Sequence, residues 1–260
     1  MARSVIRELA ENPNLHQVHS PGYELYRDPG GRYAIYLGPD TVAEAATVQR
    51  VRLTAETVEP ALAEVRALLS SRGRRGAEWE LGESCTPSDL VDRLLALGLR
   101  WIDDEPVSIG MVLRGAVSWE TAADVAARPV ASVDELLIAR AIQQEAFGDP
   151  REVDLERARR DFASEGVTGS TFLAWVDGEP AAAGYAAYTD LGLILFGGAT
   201  RDVARGRGAY RALVAARARE AHARGTPTLV THAGRMSRPI LERLGFAAVA
   251  RIDRLLDVLP

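Results

Sequence analysis

An approximate internal repeat limits what this chain can fold into more than any other feature of its sequence. In each half, a long helix pattern is followed by a strand pattern, a short helix ended by glycine and a further strand region. The first-half patterns lie at 58–72, 77–81, 88–98 and 107–113, after a strand pattern at 48–53, and the second-half patterns lie at 208–224, 228–232, 237–245 and 247–258. Two copies of one unit are therefore predicted, although helices and strands also alternate in α/β proteins without a duplication.

The region ahead of the second long helix predicts the rest of a mixed sheet. Helix patterns at 133–147 and 154–162 precede two strand patterns joined by Asp177-Gly178, a pair typical of hairpin turns, and a third strand pattern at 191–200. These strands should form an antiparallel meander, whereas the third strand, the long helix and the next strand should form a right-handed parallel crossover. The predicted fold class is α/β (α+β), with two units that each contain a mixed, mostly antiparallel sheet flanked by helices.

The segment between the two copies is predicted to be a connector. Residues 115–130 contain few large apolar side chains, which is typical of segments that join domains. We therefore predict one domain at 1–115 and a second domain at 116–260.

The composition excludes several classes of protein. With 47% hydrophobic and 26% charged residues among 260, the chain is typical of a globular protein. No apolar run is long enough for a transmembrane helix or a signal peptide, so we expect a cytoplasmic protein. The net charge of −5 argues against general nucleic-acid binding, and because all 31 basic residues are arginine, a Schiff-base or P-loop lysine is excluded. Cys85 is the only cysteine and the four histidines do not cluster with acids, so neither an internal disulfide nor a metal is expected.

The sequence between the third strand pattern and the second long helix carries the strongest chemical signal. Glycines at a strand-to-helix junction let backbone amides converge, and a helix N-terminus adds partial positive charge, so such a junction suits a diphosphate. Gly206 and Gly208 lie at this junction, and 201–224 contains seven arginines against Asp202 and Glu220. A dinucleotide-binding fingerprint needs a further glycine three residues after Gly208, and the sequence has none there. The pattern favours one polyanionic ligand over a broad nucleic-acid surface.

These residues resemble a known family, the GCN5-related N-acetyltransferases (GNATs). The family's motif is Gln or Arg, any two residues, Gly, any residue, then Gly or Ala; the sequence follows it from Arg205 to Ala209 and departs from it at Tyr210. The segment LERLGF at 241–246 is similar to the family's Tyr-Glu-Lys-Leu-Gly-Phe segment. The resemblance covers about 131–258.

The resemblance implies acetyl-CoA as a co-substrate and no metal. The diphosphate would bind the backbone amides of a segment that we call the glycine turn, which consists of Arg205, Gly206, Arg207, Gly208, Ala209 and Tyr210. The pantetheine arm would pair with Gly198, Ala199 and Thr200 of the preceding strand.

The resemblance also implies a reaction and its partners. The reaction is transfer of an acetyl group from acetyl-CoA to a primary amine of a small molecule or a protein. A catalytically inactive acyl-CoA-binding sensor or scaffold is the alternative. The expected partner is a small-molecule or peptide amine acceptor, with no nucleic acid and no membrane, and the chain is expected to be a monomer or a homodimer.

The catalytic groups depart from the family's pattern. In the family, the tyrosine that opens the Tyr-Glu-Lys-Leu-Gly-Phe segment usually donates a proton to the departing thiolate, and this sequence has Leu241 there. His232, at the end of a strand, and Ser237, at the start of the next helix, are the nearest polar candidates for proton transfer. A hydrogen-bonded strand-end histidine and a helix-capping serine are the alternatives.

The first copy lacks the glycine motif. Its long helix begins near Glu56 and Glu59, and acids at a helix start cap the helix but repel a diphosphate. We therefore predict that 1–115 is a degenerate GNAT-like copy without a cofactor.

Overall fold

The computed structural model describes residues 3–19, 22–40, 42–115, 119–148 and 154–259. Its helices are α1 (Arg3–Glu11), α2 (Val58–Ser71), α3 (Leu90–Ala96), α4 (Val133–Phe147), α5 (Leu155–Phe162), α6 (Ala209–Ala223) and α7 (Arg238–Arg243). Its strands are β1 (Glu24–Arg27), β2 (Ala34–Leu37), β3 (Ala46–Gln49), β4 (Gly76–Gly82), β5 (Arg100–Trp101), β6 (Val107–Arg114), β7 (Val125–Pro129), β8 (Gly169–Val176), β9 (Glu179–Thr189), β10 (Gly192–Thr200), β11 (Thr228–Ala233) and β12 (Ala247–Val258). Within these ranges, no helix is long and apolar enough to cross a membrane.

Contacts between Cα atoms divide the chain into two compact units. Unit 1 comprises Met1–Met111, His232–Leu241 and Ala248–Pro260, and unit 2 comprises Val112–Thr231 and Glu242–Ala247. The predicted second domain, 116–260, therefore contains two segments that group with unit 1. One reason is that β12 pairs along most of its length with β4, a long-range contact that local sequence patterns do not reveal. The division into domains at 1–115 and 116–260 stays a prediction.

Unit 1 contains a mixed sheet with α2 packed against it. Strands β1, β2 and β3 form an antiparallel meander, and β3 pairs in parallel with β4, to which α2 connects it. β12 pairs antiparallel with both β4 and β5. The buried face of α2 is entirely apolar and consists of Val58, Ala61, Leu62, Val65 and Leu69. The elements predicted at 58–72, 77–81, 88–98 and 107–113 are confirmed as α2, β4, α3 and β6. The strand predicted at 48–53 instead ends at Gln49, because Arg50 takes a positive φ of 54°.

Unit 2 contains the predicted meander and parallel crossover. β8, β9 and β10 pair antiparallel in sequence order. Asp177 and Gly178 join β8 to β9 with φ values of 52° and 82°, which is the mirror-image turn that favours a tight hairpin. β10 then leads through α6 into β11, and these two strands pair in parallel. Helix α4 packs on this sheet through Leu136, Ala139 and Ile142.

The predicted connector at 115–130 is partly wrong. Val125–Pro129 form β7, which pairs antiparallel with β8, while 116–118 lie outside the described residues. β7 consists of Val, Ala, Ala, Arg and Pro, so it lacks the bulky alternating residues that mark a strand in a sequence. The hydrogen bonds offered by the edge of β8 decide its conformation.

The two units share an order of elements. Each contains an antiparallel meander of three strands, a helix, and a strand parallel to the third. The protein is therefore a mixed α/β protein with mostly antiparallel sheets flanked by helices, as predicted. The strand before α2 and the strand before α6 are matching places in the two units.

Candidate cofactor site

Strand β10 is irregular where the pantetheine arm was predicted to pair. Its register with β9 shifts between Phe196 and Ala199, and Gly197 has a φ of 56°, which residues with a Cβ rarely adopt. The parallel register with β11 ends at Ile194, after which the Thr231 hydroxyl donates to the Leu195 carbonyl at 3.0 Å. β10 thus extends past its parallel pairing as a bulged strand that keeps β9 on one side only.

The glycine turn follows β10 and is exposed. A single turn of 3₁₀ helix at Asp202–Ala204 leads into Gly206 and Gly208, whose φ values are 78° and 86°. A Cβ built on either glycine would have no atom within 4 Å, so open space rather than protein lies above the turn. Gly208 is the N-cap of α6 and contributes no side chain. The start of this helix is therefore open to a ligand.

The backbone amides of the glycine turn fall into two groups. Arg205 N–H donates to the Asp202 carbonyl at 3.2 Å, and Arg207 N–H donates to the Ala204 carbonyl at 3.3 Å. The first main-chain bond within α6 runs from Ala212 N–H to the Gly208 carbonyl at 2.9 Å. The amides of Ala209 and Tyr210 precede that bond, where a helix leaves its N–H groups without helical partners. Within the glycine turn, the amides of Arg205 and Arg207 are therefore already bonded, and the assignment of the turn to a diphosphate stays a prediction.

The arginines of this region are largely paired within the protein. Arg207 Nη2 lies 2.6 Å from an Asp177 oxygen and 3.2 Å from an Asp124 oxygen, and Arg205 lies 2.7 Å from Asp202. Counting charges along the sequence suggested a strongly cationic element. The fold offsets that charge with carboxylates from the β8–β9 turn and the segment before β7, so the region is less cationic than its sequence indicates.

Tyr210 lies against the sheet. A Cβ on Gly198 would be 2.9 Å from Cε2 of the Tyr210 ring, so glycine is required at 198 for the ring to pack there. Burial raises the pKa of the Tyr210 phenol. The residue that departs from the family's motif therefore has a packing role on β10.

Arg217 was counted among the arginines of a ligand-binding element, but it is buried. Its exposed fraction is 1%, its Nε donates to the Leu213 carbonyl at 3.2 Å, and its Nη1 lies 3.5 Å from the Tyr185 carbonyl. A Cβ on Gly184 would be 2.9 Å from Nη1, so the strand makes room for the guanidinium. Burial lowers the pKa of Arg217 to about 10. Periodicity along the helix could have placed it on the buried face.

The structure places His232 in a buried polar cluster of unit 1. Its Nε2 lies 2.8 Å from the Ala10 carbonyl, and its Nδ1 lies 3.4 Å from a Glu80 oxygen. Burial alone would lower the pKa of His232, but the Glu80 carboxylate and the Ala10 carbonyl outweigh it, so the pKa is raised. Glu78, on the same face of β4 as Glu80, pairs with Arg254. Burial and the Glu80 charge raise the pKa of Glu78 to about 7, against the opposing effect of Arg254.

Ser237 and Leu241 have local roles at α7. The Ser237 hydroxyl donates to the Gly234 carbonyl at 3.4 Å. The Ser237 carbonyl accepts from Leu241 N–H at 3.0 Å. Leu241 is 1% exposed. It is the residue at which the resemblance to the GNAT segment implied a tyrosine. The assignment of proton transfer to His232 and Ser237 stays a prediction.

Comparison with known proteins identifies the fold. No protein-family model and no curated protein matches the chain. A GCN5-related N-acetyltransferase from Kribbella flavida matches with a TM-score of 0.66 and 20% identity, over 99% of this chain and 95% of that chain. One from Sphaerobacter thermophilus matches with a TM-score of 0.62 and 16% identity, over 89% and 82%.

A third solved structure matches along most of both chains. It is a tandem GNAT protein from the clavulanic acid biosynthesis pathway, solved without acetyl-CoA, with a TM-score of 0.56 and 16% identity over 97% of this chain and 87% of that chain. This chain has the GNAT fold. At identities this low, the likeness establishes a fold and not a reaction.

One residue of unit 2 contacts the candidate site in a way that the sequence did not reveal. Gln143 of α4 donates from Nε2 to the Gly197 carbonyl at 2.8 Å, at the bulge of β10. A helix position with a polar side chain carries no sequence signal of such a long-range bond. Thr200 Oγ1, three residues beyond Gly197, is buried and has no hydrogen-bond partner among the described residues.

Metal binding has no structural support in the described part of the chain. Within those residues, no group of three or more His, Cys, Asp or Glu side chains could hold a metal ion. The candidate site therefore consists of the backbone amides of the glycine turn, the edge of the bulged strand β10 and the buried hydroxyl of Thr200.

Proposed function

We propose that unit 2 binds acetyl-CoA and that the protein transfers the acetyl group to a primary amine. The observation that carries this proposal is the open start of α6, where Gly206 and Gly208 hold positive φ values and no atom lies near their missing Cβ atoms. The acetyltransferase descriptions of the solved structures that share this fold support it. A diphosphate is the ligand that such a helix start favours.

The residues present fit the two ends of coenzyme A. The amides of Gly206, Gly208, Ala209 and Tyr210 would hold the diphosphate in the positive field of the helix start. The edge of β10 beyond Leu195 would pair with the amides of the pantetheine arm, as an open strand edge does with a peptide. Thr200 Oγ1, buried and without a partner in the described chain, is a further polar group that the arm could satisfy.

Acetyl-CoA would supply an activated thioester. The amine nitrogen attacks the thioester carbonyl carbon, the carbon–sulfur bond breaks, and a proton passes from the nitrogen to the departing thiolate. The chain must therefore polarise the carbonyl and carry one proton. Backbone amides of the bulged strand can polarise the carbonyl. His232 and Ser237 are the proposed proton carriers, because Leu241 cannot donate one.

The alternative is a protein that binds an acyl-CoA without chemistry. Leu241 motivates it, because leucine cannot donate a proton, but the solved structures that share the fold do not favour it. Release of free thiol from acetyl-CoA, measured across a library of amines, separates the two functions. Turnover with any amine excludes a pure sensor, whereas tight binding without thiol release with every amine favours it.

Calorimetric titration with acetyl-CoA tests the proposal, with Gly208→Glu as the disruptive variant. Gly208→Glu places a carboxylate at the proposed diphosphate site, and we expect affinity to fall at least roughly 100-fold. Gly225→Glu is the matched control, because Gly225 is also exposed, also has a positive φ (74°) and follows the other end of α6. Absence of binding by the unmodified protein up to about 1 mM ligand, or equal binding by both variants, would contradict the proposal.

The acceptor and the assembly are part of the same proposal. A small-molecule or peptide amine is the proposed acceptor, in a monomer or homodimer that uses neither nucleic acid nor membrane. Unit 1 is proposed to act without a cofactor of its own.

A further inference from the structure

The bulge of β10 depends on a side chain from another element. At Gly197, the strand leaves its register with β9 and turns into the left-handed region of backbone conformation. A bulge leaves a peptide group without its ladder partner, and that group needs another partner if it is to stay in place. The Gly197 carbonyl obtains one from Gln143 Nε2, at 2.8 Å.

The contact between Gln143 and Gly197 is close on two counts. A Cβ on Gly197 would lie 2.5 Å from Gln143 Nε2, so the amide group rests directly on the strand where a side chain would be. The glycine is thus needed both for its φ and for the approach of the glutamine. Gly197 thus leaves the space that the glutamine amide occupies, and Gln143 provides the donor for the Gly197 carbonyl.

Helix α4 holds the same strand at a second point. Glu145 pairs with Arg201 at 3.4 Å, and Arg201 in turn bonds to the β9 side through its N–H to the Ala181 carbonyl and its Nη1 to the Pro180 carbonyl. The hydrogen bond at 197 and the ion pair at 201 lie on either side of Gly198–Thr200. The C-terminal part of α4 therefore spans the segment that would pair with pantetheine.

We propose that Gln143 is a positioning residue that fixes the edge of β10 for the pantetheine arm. This inference rests on the proposed function of unit 2. By holding the Gly197 carbonyl, Gln143 keeps that group from turning into the edge where the arm would lie. It also keeps the amides beyond the bulge in one arrangement before the ligand binds, which reduces the entropy cost of binding.

The test measures two quantities on variants of the full chain. Gln143→Leu keeps the volume and removes the donor, and Gln143→Glu replaces the donor by a group that repels the carbonyl. Ala146→Glu adds the same charge to an exposed position of the same helix and is the control. Hydrogen exchange of 197–201 in the free protein reports the order of the strand, and titration with acetyl-CoA reports affinity.

We expect both Gln143 variants to speed exchange at 197–201, while exchange in α6 is unchanged, and to weaken acetyl-CoA binding roughly three- to tenfold. Ala146→Glu should change neither. Unchanged exchange overturns the inference, and so does faster exchange with unchanged affinity. Equal acceleration throughout unit 2 would show a general packing role and also overturns it. If the unmodified protein binds no acetyl-CoA, the proposed function and the cofactor part of this inference fail together, whereas the exchange data still decide whether Gln143 fixes the bulge.

Discussion

Helices α2 and α6 occupy matching places in their units, after the third strand of a meander, and they begin differently. Ahead of α2, Thr57 Oγ1 accepts from Thr54 N–H at 2.9 Å, and a hydrogen bond from the Thr54 side chain lowers the pKa of Glu56. Ahead of α6, Gly208 offers no side chain and no acid lies in the first turn. The turn that leads into α2 is capped by its own side chains, whereas the start of α6 has no side-chain cap and is the proposed ligand site. The same topology can thus serve stability or binding according to a few residues at one junction.

The largest effect on acetyl-CoA affinity is expected from a variant that gives α6 an acidic cap of its own. Gly208→Asp places a capping carboxylate at the open helix start, and we expect acetyl-CoA affinity to fall roughly 100-fold, since the carboxylate both occupies the amides and repels phosphate. Gly208→Asn is the matched variant: it caps without charge and tolerates a positive φ, so its loss should be clearly smaller. Calorimetry measures both. Equal losses for the two variants would show that charge at this position is unimportant.

A second difference between the two helices lies on their buried faces. The fully buried residues of α2 are all apolar, whereas α6 buries Arg217, which lacks a carboxylate partner in the described chain. A buried cation of this kind is costly, and we expect Arg217→Met to stabilise the protein by about 1–2 kcal/mol. Leu62→Met in α2 is the control and should cost less than about 1.5 kcal/mol. Urea unfolding gives both values, and a destabilised Arg217→Met would mean that the guanidinium bonds outweigh its burial.

The capped 3₁₀ turn that leads into α2 should contribute to stability alone. Thr57→Val removes the hydroxyl that accepts from Thr54 N–H, and we expect a loss of about 1 kcal/mol in the free energy of unfolding. Affinity for acetyl-CoA should not change, because the proposed ligand site is in unit 2. Thermal unfolding and calorimetry on the same sample check the two statements. Weaker binding with Thr57→Val would contradict the assignment of separate roles to the two helix starts.

A pH dependence of stability is expected from unit 1. The pKa of His232 is raised above its ordinary 6.5, so its stabilising charge is present at lower pH and is lost as pH rises through the folded pKa. The pKa of Glu78 is raised from 4.5 to about 7, so ionisation of this buried carboxyl also removes stability as pH rises. Both groups predict that stability declines between about pH 5 and pH 8.

Urea unfolding across that range checks the sign. Glu78→Gln removes one of the two titrating groups and should reduce the decline of stability with pH. The backbone amides of the glycine turn do not titrate, so that turn should not contribute to the pH dependence. If stability instead rises with pH over this range, the pKa values of His232 and Glu78 are not raised in the folded protein.

Local patterns in the sequence were sufficient for much of unit 2. Asp177-Gly178 predicts its hairpin because two adjacent residues with positive φ need little beyond their own chemistry. Gly206 and Gly208 likewise predict an open helix start, because each lacks a side chain and adopts a positive φ without strain. The short strands β1 and β2 were not predicted, since each has four residues and depends on its neighbour for pairing.

The rest of the site depends on long-range contacts. The bond from Gln143 to Gly197 joins residues that are 54 positions apart, and no periodic pattern encodes it. The pairing of Arg207 with Asp124 and Asp177 likewise changes the meaning of a charge count that looked strongly positive along the chain. Sequence reasoning therefore located the exposed glycine turn, and it missed the bond that holds the β10 bulge and the carboxylates that offset the charge of the arginines.

The position of β12 has a consequence for how the protein is made. Leu255 belongs to the core of unit 1, and the Asp257 carboxylate accepts three hydrogen bonds from Nε and Nη2 of Arg66 in α2. Because residues 252–258 are synthesised long after 76–82, the edge of β4 that pairs with β12 has no such partner while the intervening chain is made. An unpaired strand edge can pair with other chains, so a nascent chain stalled before 248 should aggregate more readily than one that includes β12.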